Sequence, residues 1–323
     1  MTTDSDRHPQ ADSTANNRAR IIQERDNLVK RDGAWTAHCI HLGDGIYTFT
    51  GQSVPQADTR IRRYLQIAAD MIFEPLDKIR VLDLACLEGL YGIEFALHGS
   101  NVVAIEGRPV NIAKAQFAKE VLSLRNLELV CEDVRHLSRE RFGSYDVILV
   151  LGILYHLTAP DVMEFAEKIY ECCDRVAIID TQFCPEPIES FTWKGHVYWG
   201  GYFEEHRLDS SAQERLDSLW ASMGNQRSFT LTRASLCNLL RQVGFTSVYE
   251  CLCPYEYHNP DWPLEAKDAR HVLVPNRATF VAIKGQNRRI ISSPITQASP
   301  EIDRPERPEY RLSMRTSANR AGD

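Results

Sequence analysis

No segment of the 323-residue chain is apolar for long enough to cross a bilayer. The longest run, Val147 to Leu151 and on to Tyr155, is broken by Gly152. An apolar N-terminal signal segment is also missing. The nine cysteines therefore read as reduced thiols of a cytoplasmic protein rather than as a disulfide framework. The pairs Cys172-Cys173 and Cys251-Leu-Cys253 lack the spacing of a zinc site, so no metal is expected. Positive charge is not in excess. A net charge of −7 argues against a protein that coats nucleic acid, although a local basic groove would be compatible with it. Internal repeats are absent. What is present is an apolar content of 43%, enough for a large core in one elaborated domain or a domain with a cap.

The chain divides by pattern into five stretches. Residues 1–16 are polar and aperiodic and are expected to be disordered. Residues 17–78 form an N-terminal appendage. It holds a helix through Ile21, Ile22, Leu28 and Val29, a hairpin turning at Gly43-Asp-Gly45, and an amphipathic helix with Ile61, Tyr64, Leu65, Ala68 and Ile72 on one face. Residues 79–285 form the main domain. Its strands are expected near 80–86, 101–106, 127–131, 145–151 and 174–181, with helices near 90–98, 109–123 and 160–172. Gly99 is placed to stop the first of these helices. Alternation with almost wholly apolar strands predicts an α/β fold, a doubly wound and mostly parallel sheet covered on both faces. A long insertion at about 182–230 carries Phe183, Phe191, Trp193, Tyr198, Trp199, Tyr202, Phe203 and Trp220. A helix capped by Thr232 and ended by Gly244 follows, then strands near 245–253 and 277–284. Residues 286–323 are polar and rich in Pro and Arg, and read as a disordered tail.

The densest chemical signal is Arg80-Val-Leu-Asp-Leu-Ala-Cys-Leu-Glu-Gly-Leu-Tyr-Gly92, followed by Val102-Val-Ala-Ile-Glu106. A strand delivers Asp83 to its end, a short loop carries Gly89, a helix opens near Leu90, and a second strand stops at a carboxylate. This order outlines a nucleoside-binding α/β half. The terminal carboxylate can accept both hydroxyls of a ribose, and the loop offers backbone N–H groups beside it.

Several motifs in sequence order carry a resemblance. They are Val81-Leu-Asp-Leu-Ala-Cys-Leu-Glu-Gly89, Val103-Ala-Ile-Glu106, Val130-Cys-Glu-Asp133-Val134, Tyr145-Asp-Val-Ile-Leu-Val-Leu-Gly-Ile-Leu-Tyr-His-Leu157, and the closing Leu231-Thr-Arg-Ala-Ser-Leu to Val243-Gly-Phe245. Residues 80–284 resemble a class I S-adenosylmethionine-dependent methyltransferase, in the subset with a Leu-Glu-Gly first loop. The family's first loop has three alternating small residues, where this chain has Ala85, Leu87 and Gly89. The resemblance implies a Rossmann-like sheet of seven strands and S-adenosylmethionine as cofactor. Glu106 would accept the ribose hydroxyls, Asp133 the adenine amino group, and the Val134 N–H would bond an adenine ring nitrogen. Asp83, Ala85, Glu88 and Gly89 of the first loop, with Tyr91 nearby and the backbone of Val150 and Leu151, would surround the amino-acid tail.

Methyl transfer is an in-line displacement, and a base is needed when the acceptor is a hydroxyl. His156, just past the fourth strand, is the first candidate. His196, His206, Glu204 and Glu205 of the insertion are the second set, with Tyr155, Trp199 and Tyr202 as acceptor contacts. Each has an ordinary structural alternative: a strand-end carboxylate for Glu106, a helix cap for Asp133, a loop-tying histidine for His156, and the cap's own core for the aromatics. The chain lacks the Asn/Asp-Pro-Pro-aromatic tetrad of amino-methylating nucleic-acid enzymes and shows no cysteine in the setting used for pyrimidine carbon methylation. A small-molecule acceptor methylated on oxygen is therefore the favoured reading.

Two alternatives stand beside it. One is a tRNA wobble-uridine modifying transferase, which a joint basic patch of Arg60, Arg62, Arg63, Arg80, Arg288 and Arg289 would favour. The other is a noncatalytic S-adenosylmethionine-binding protein. A nicotinamide-binding oxidoreductase fits least, because the first loop lacks the three glycines that admit a pyrophosphate. The N-terminal helices could close over the cofactor or form a homodimer interface.

Overall fold

The computed structural model describes residues 9–49, 59–251 and 276–288. Helix α1 (Pro9–Asp32) begins the described chain. The expected disordered tail is thus helical from Pro9, because Pro suits a first helical turn and no breaker follows before Gly33. Residues 1–8 lie outside the described residues. The expected hairpin is reduced to one bridge, His41 with Tyr47, around a turn in which Gly43, Asp44 and Gly45 all have positive φ. A side chain replaces the missing ladder: Thr48 Oγ1 accepts from the Ile40 N–H and donates to the His38 carbonyl.

Helix α2 (Thr59–Ile72) follows, then β1 (Arg80–Leu84), α3 (Leu90–Leu97), β2 (Asn101–Glu106), α4 (Pro109–Val121) and β3 (Leu127–Cys131). The strands form where apolar runs occur, and Val81, Leu82 and Leu84 of β1 are wholly buried. Gly99 turns the chain out of α3 at φ +93°, within 2.7 Å of the Asp77 Cβ if it carried a Cβ of its own. Next come α5 (Arg139–Phe142), β4 (Tyr145–Leu151), α6 (Asp161–Cys172) and β5 (Cys173–Gln182).

The aromatic insertion is a sheet of its own. Strands β6 (Glu189–Trp193) and β7 (His196–Glu204) form a hairpin over Lys194-Gly195, both residues left-handed as a tight two-residue turn requires. Helix α7 (Ala212–Asp217) and β8 (Arg227–Leu231) follow, β8 antiparallel to β7. Tyr198, Trp193 and Phe229 are buried and form this sheet's core. Gly200 has no room for a side chain, because a Cβ would strike the Thr230 carbonyl.

Helix α8 (Arg233–Gln242) is capped by the Thr232 hydroxyl, which accepts from the Ser235 N–H; Gly244 closes it at φ +125°. Strands β9 (Ser247–Cys251) and β10 (Arg277–Ile283) end the fold. The main sheet has seven strands in the order β3-β2-β1-β4-β5-β10-β9. Its β3, β2, β1 and β4 are parallel, and β10 is antiparallel to both neighbours. This is the doubly wound α/β architecture expected.

The described chain divides into two compact units. The first comprises residues up to His136 with Tyr145–Leu151, and the second comprises Leu137–Ser144 and the chain from Gly152. Among the described residues, no helix is long and apolar enough to cross a membrane, and no group of three or more His, Cys, Asp or Glu is arranged to hold a metal ion.

Candidate cofactor and acceptor sites

In the first unit, the loop after β1 is shaped by three alternating left-handed residues: Ala85 at φ +55°, Leu87 at +51° and Gly89 at +86°. A left-handed conformation costs a non-glycine residue about 1–2 kcal/mol. The loop therefore holds its shape only because its polar groups are tied from outside. Cys86 donates its N–H to the Ile105 carbonyl and Gly89 to that of Cys86. Leu87 donates to Glu106 Oε2 at 3.1 Å.

Glu106, at the end of β2, is buried and also accepts from the Arg108 N–H (2.9 Å) and Asn111 Nδ2 (3.2 Å). Three donors on a carboxylate with about four acceptor directions leave it able to accept again. Beside it, Asn111 Oδ1 is buried without a donor among the described residues. Two waiting acceptors match a ligand that brings a pair of hydroxyls.

Asp83 is 1% exposed and accepts from the Gly92 N–H at 2.9 Å. Burial, reinforced by the negative Glu106, pushes its carboxyl up to about 7 despite that bond. Burial raises Glu106 as well, although the Arg108 and Leu87 N–H groups and the Asn111 amide oppose it. Two buried carboxyls that repel one another favour a ligand carrying positive charge. By donor chemistry and by charge, these residues fit a cationic nucleoside.

Other expected cofactor contacts are engaged elsewhere. Glu88, expected at the amino-acid tail, is wholly buried and bonded to residues 36–38 and Lys114. Asp133, expected at the adenine amino group, takes the Arg135 backbone N–H (2.8 Å) and grips its guanidinium through both oxygens. Burial would raise this carboxyl, but the bonds to Arg135 outweigh it and hold it below the usual aspartate value. The helix-cap alternative describes Asp133 in this structure. Val134 is buried in the short turn that follows, Tyr91 packs against His38 and Tyr64, and Val150 and Leu151 end β4.

In the second unit, His156 closes a short 3-10 turn after β4. Its Nδ1 lies 3.0 Å from both oxygens of Glu205. Glu205 also accepts from the Ser222 N–H at 2.8 Å. Burial would push the Glu205 carboxyl up, but His156, Ser222 and the Ser228 hydroxyl outweigh it and keep it below the ordinary glutamate range. The carboxylate thus fixes the imidazole, and among the described residues no polar partner is bonded to His156 Nε2. The loop is held in turn: Asn225 Nδ2 donates to the His156 carbonyl, and the Phe229 N–H to that of Leu157.

Tyr155 lies beside His156, ring centroids 4.3 Å apart, with its hydroxyl 3.5 Å from Arg277 Nη1. Arg277 is itself paired with the buried Asp180, which also accepts from Thr279 Oγ1. A small recess is lined by Tyr155, Leu154, Val162, Thr181, Gln182 and Phe229, among others.

Of the second set of candidates, Glu205 is bonded to His156, and the others are placed differently. His206 Nε2 donates to the Ser222 carbonyl at 2.5 Å, which ties that ring to a loop. His196 and Glu204 stand at opposite ends of the nine-residue β7, about 26 Å apart at roughly 3.3 Å per residue, so they cannot share a reacting atom. Tyr202 packs on Phe229 and under Arg227. Trp199 is half-buried, and its backbone N–H donates to Ser235 Oγ. Of the basic residues, Arg80 stacks on Tyr145, and Arg289 lies outside the described residues. Asn111, Lys114, His38 and Arg277 were missed in the sequence, where none sits in a motif. A lysine on an otherwise buried helix face was the one available signal.

Residues 81–175 match a family model described as a methyltransferase domain. No sequence among the curated proteins matches the chain. Among solved structures, the N-terminal domain of EvdMO1, determined in the presence of SAH and D-fucose, is similar at 19% identity. The match covers 82% of this chain and 97% of that one, with a TM-score of 0.59. Full EvdMO1 is similar at 18% identity over 81% of this chain and 47% of its own, with a TM-score of 0.52. Magnesium protoporphyrin IX methyltransferase from Synechocystis PCC 6803, with bound SAH, matches at 17% identity over 73% and 90%, with a TM-score of 0.45.

Proposed function

We propose that this chain, an S-adenosylmethionine-dependent methyltransferase of class I, moves the methyl group to a hydroxyl of a small molecule, with His156 as general base. The observation that carries the reading is the Glu205–His156 pair. A half-buried carboxylate grips Nδ1, which selects the tautomer whose Nε2 is an acceptor and holds the ring still.

The cofactor supplies a methyl group already activated by a positive sulfur. The chain's own residues have three tasks. Glu106, with Asn111 beside it, accepts the ribose hydroxyls through charge-assisted bonds. Asp83, ionised, faces the ammonium of the tail. His156 Nε2 takes the acceptor's hydroxyl proton as the new oxygen–carbon bond forms and the carbon–sulfur bond breaks. A methyl ether, S-adenosylhomocysteine and a protonated imidazole result.

The recess beside Tyr155 lies next to His156. Thr181 and Gln182 give it polar points among apolar walls. The similar EvdMO1 domain was crystallised with D-fucose, a hydroxyl-bearing small molecule, in keeping with this class of acceptor.

The test is transfer of label from methyl-labelled S-adenosylmethionine into a cell extract fractionated into RNA, protein and small molecules. Label in the small-molecule fraction, reduced about 10²–10⁴-fold in His156→Ala, is the expected result. Label in tRNA would replace this acceptor class with the wobble-uridine alternative. Cofactor binding without label anywhere would point to a noncatalytic binding protein.

A further inference from the structure

We propose that residues 34–38 form a fixed wall of the cofactor site and that Glu88 is the positioning residue that joins this wall to the first loop. The inference rests on the cofactor reading above but concerns residues that reading leaves without a role.

Glu88 stands between two left-handed residues, Leu87 and Gly89, and is 0% exposed. Its Oε1 accepts from the Thr36 N–H (2.7 Å), the Thr36 hydroxyl (3.2 Å) and Lys114 Nζ (3.3 Å). Its Oε2 accepts from the Ala37 N–H (3.2 Å) and the His38 N–H (3.0 Å). Three successive backbone N–H groups therefore converge on one carboxylate, the arrangement in which a chain wraps an anion.

Lys114, also wholly buried, completes the clamp. It donates to the Ala34 carbonyl at 2.6 Å and lies 5.9 Å from the centre of the Trp35 ring. On the other side of Gly89, the first N–H of α3, that of Leu90, donates to His38 Nδ1 at 3.3 Å. Both flanks of the loop's last glycine are thus tied to a segment some 50 residues earlier in the chain.

A lid that opens and closes is drawn from weakly packed, exposed chain. Residues 34–38 are the reverse: Trp35 and His38 are buried, and releasing them would take from the buried Glu88–Lys114 pair the backbone N–H and carbonyl groups that now satisfy it. Nor can the loop keep its shape alone, since Ala85 and Leu87 occupy conformations that side chains disfavour. The clamp holds Leu87 and Gly89 in place, and through them the N–H groups that Glu106 and the cofactor meet. Glu88 acts on cofactor binding through the loop's shape, without touching the cofactor.

The test is calorimetric titration of S-adenosylhomocysteine into the full chain, combined with hydrogen–deuterium exchange of residues 36–38 and 86–92. Glu88→Gln is expected to weaken binding at least tenfold and His38→Ala several-fold, with exchange rising in both segments together. Because Glu88→Gln leaves Lys114 unpaired, the double variant Glu88→Gln/Lys114→Met provides a folded control, which should regain the wild-type melting temperature but not the affinity. A folded variant whose residues 36–38 exchange freely while its affinity equals that of the wild type would overturn the proposal. A wild-type chain that binds no S-adenosylhomocysteine would instead refute the cofactor reading.

Discussion

Asp83 should make both stability and cofactor affinity depend on pH. It lies one residue before the end of β1, 1% exposed, with the Gly92 N–H as its donor and the buried Glu106 nearby. Burial first, and then Glu106, lifts its carboxyl from an ordinary 3.8 to about 7. A folded value above the unfolded one means that the folded chain keeps a proton the unfolded chain has already lost between pH ~4 and ~7. Stability therefore falls as pH rises through that window and levels off above it. At about 1.36 kcal/mol per pH unit, three units give at most roughly 4 kcal/mol. Asp83→Asn removes the ionisation but keeps an oxygen for the Gly92 N–H. The variant should match the wild type near pH 4 and exceed it at pH 8, by up to about 10 °C in melting temperature. A cationic cofactor favours the ionised carboxylate, so wild-type affinity should rise about tenfold from pH 6 to pH 8. Melting curves and calorimetric titrations across pH 4–8 measure both effects. A stability difference between variant and wild type that does not change with pH would refute the argument.

Two further perturbations separate binding from folding. Glu106→Gln keeps the shape and removes the charge that strengthens bonds to ribose hydroxyls. It should weaken S-adenosylhomocysteine binding about 10–100-fold in calorimetry, and an unchanged affinity would remove Glu106 from the ribose. Gly244→Ala places a Cβ 2.5 Å from Tyr170 Cζ at φ +125°. It should destabilise the chain by about 1–3 kcal/mol in denaturant unfolding and leave cofactor affinity unaltered.

Much of the architecture was legible along the chain because its causes are local. Apolar runs such as Val147–Val150 and Val102–Ile105 form buried strands. Gly99 and Gly244 end helices because they accept left-handed backbone, and Thr232 caps a helix with its own hydroxyl. The same local logic misjudged residues 9–16, whose polar composition hid the absence of any helix breaker. It did not resolve the strands of the aromatic insertion, whose Tyr198 and Phe229 lie in the core of a separate three-stranded sheet.

The sequence by itself determined the alternation of strands and helices in the main sheet, and the carboxylates Asp83 and Glu106 at or near the ends of its first two strands. Each depends on residues within a few positions of one another. Only the tertiary structure decided which polar groups meet. It brought Glu205 to His156 across 49 positions and Lys114 to Glu88 across 26, while keeping His196 and Glu204 at opposite ends of one strand. It also bonded Glu88 to the backbone of residues 36–38, some 50 positions earlier in the chain. Periodicity and capping act along the chain, whereas a buried charge takes its partner from whatever element the fold places beside it.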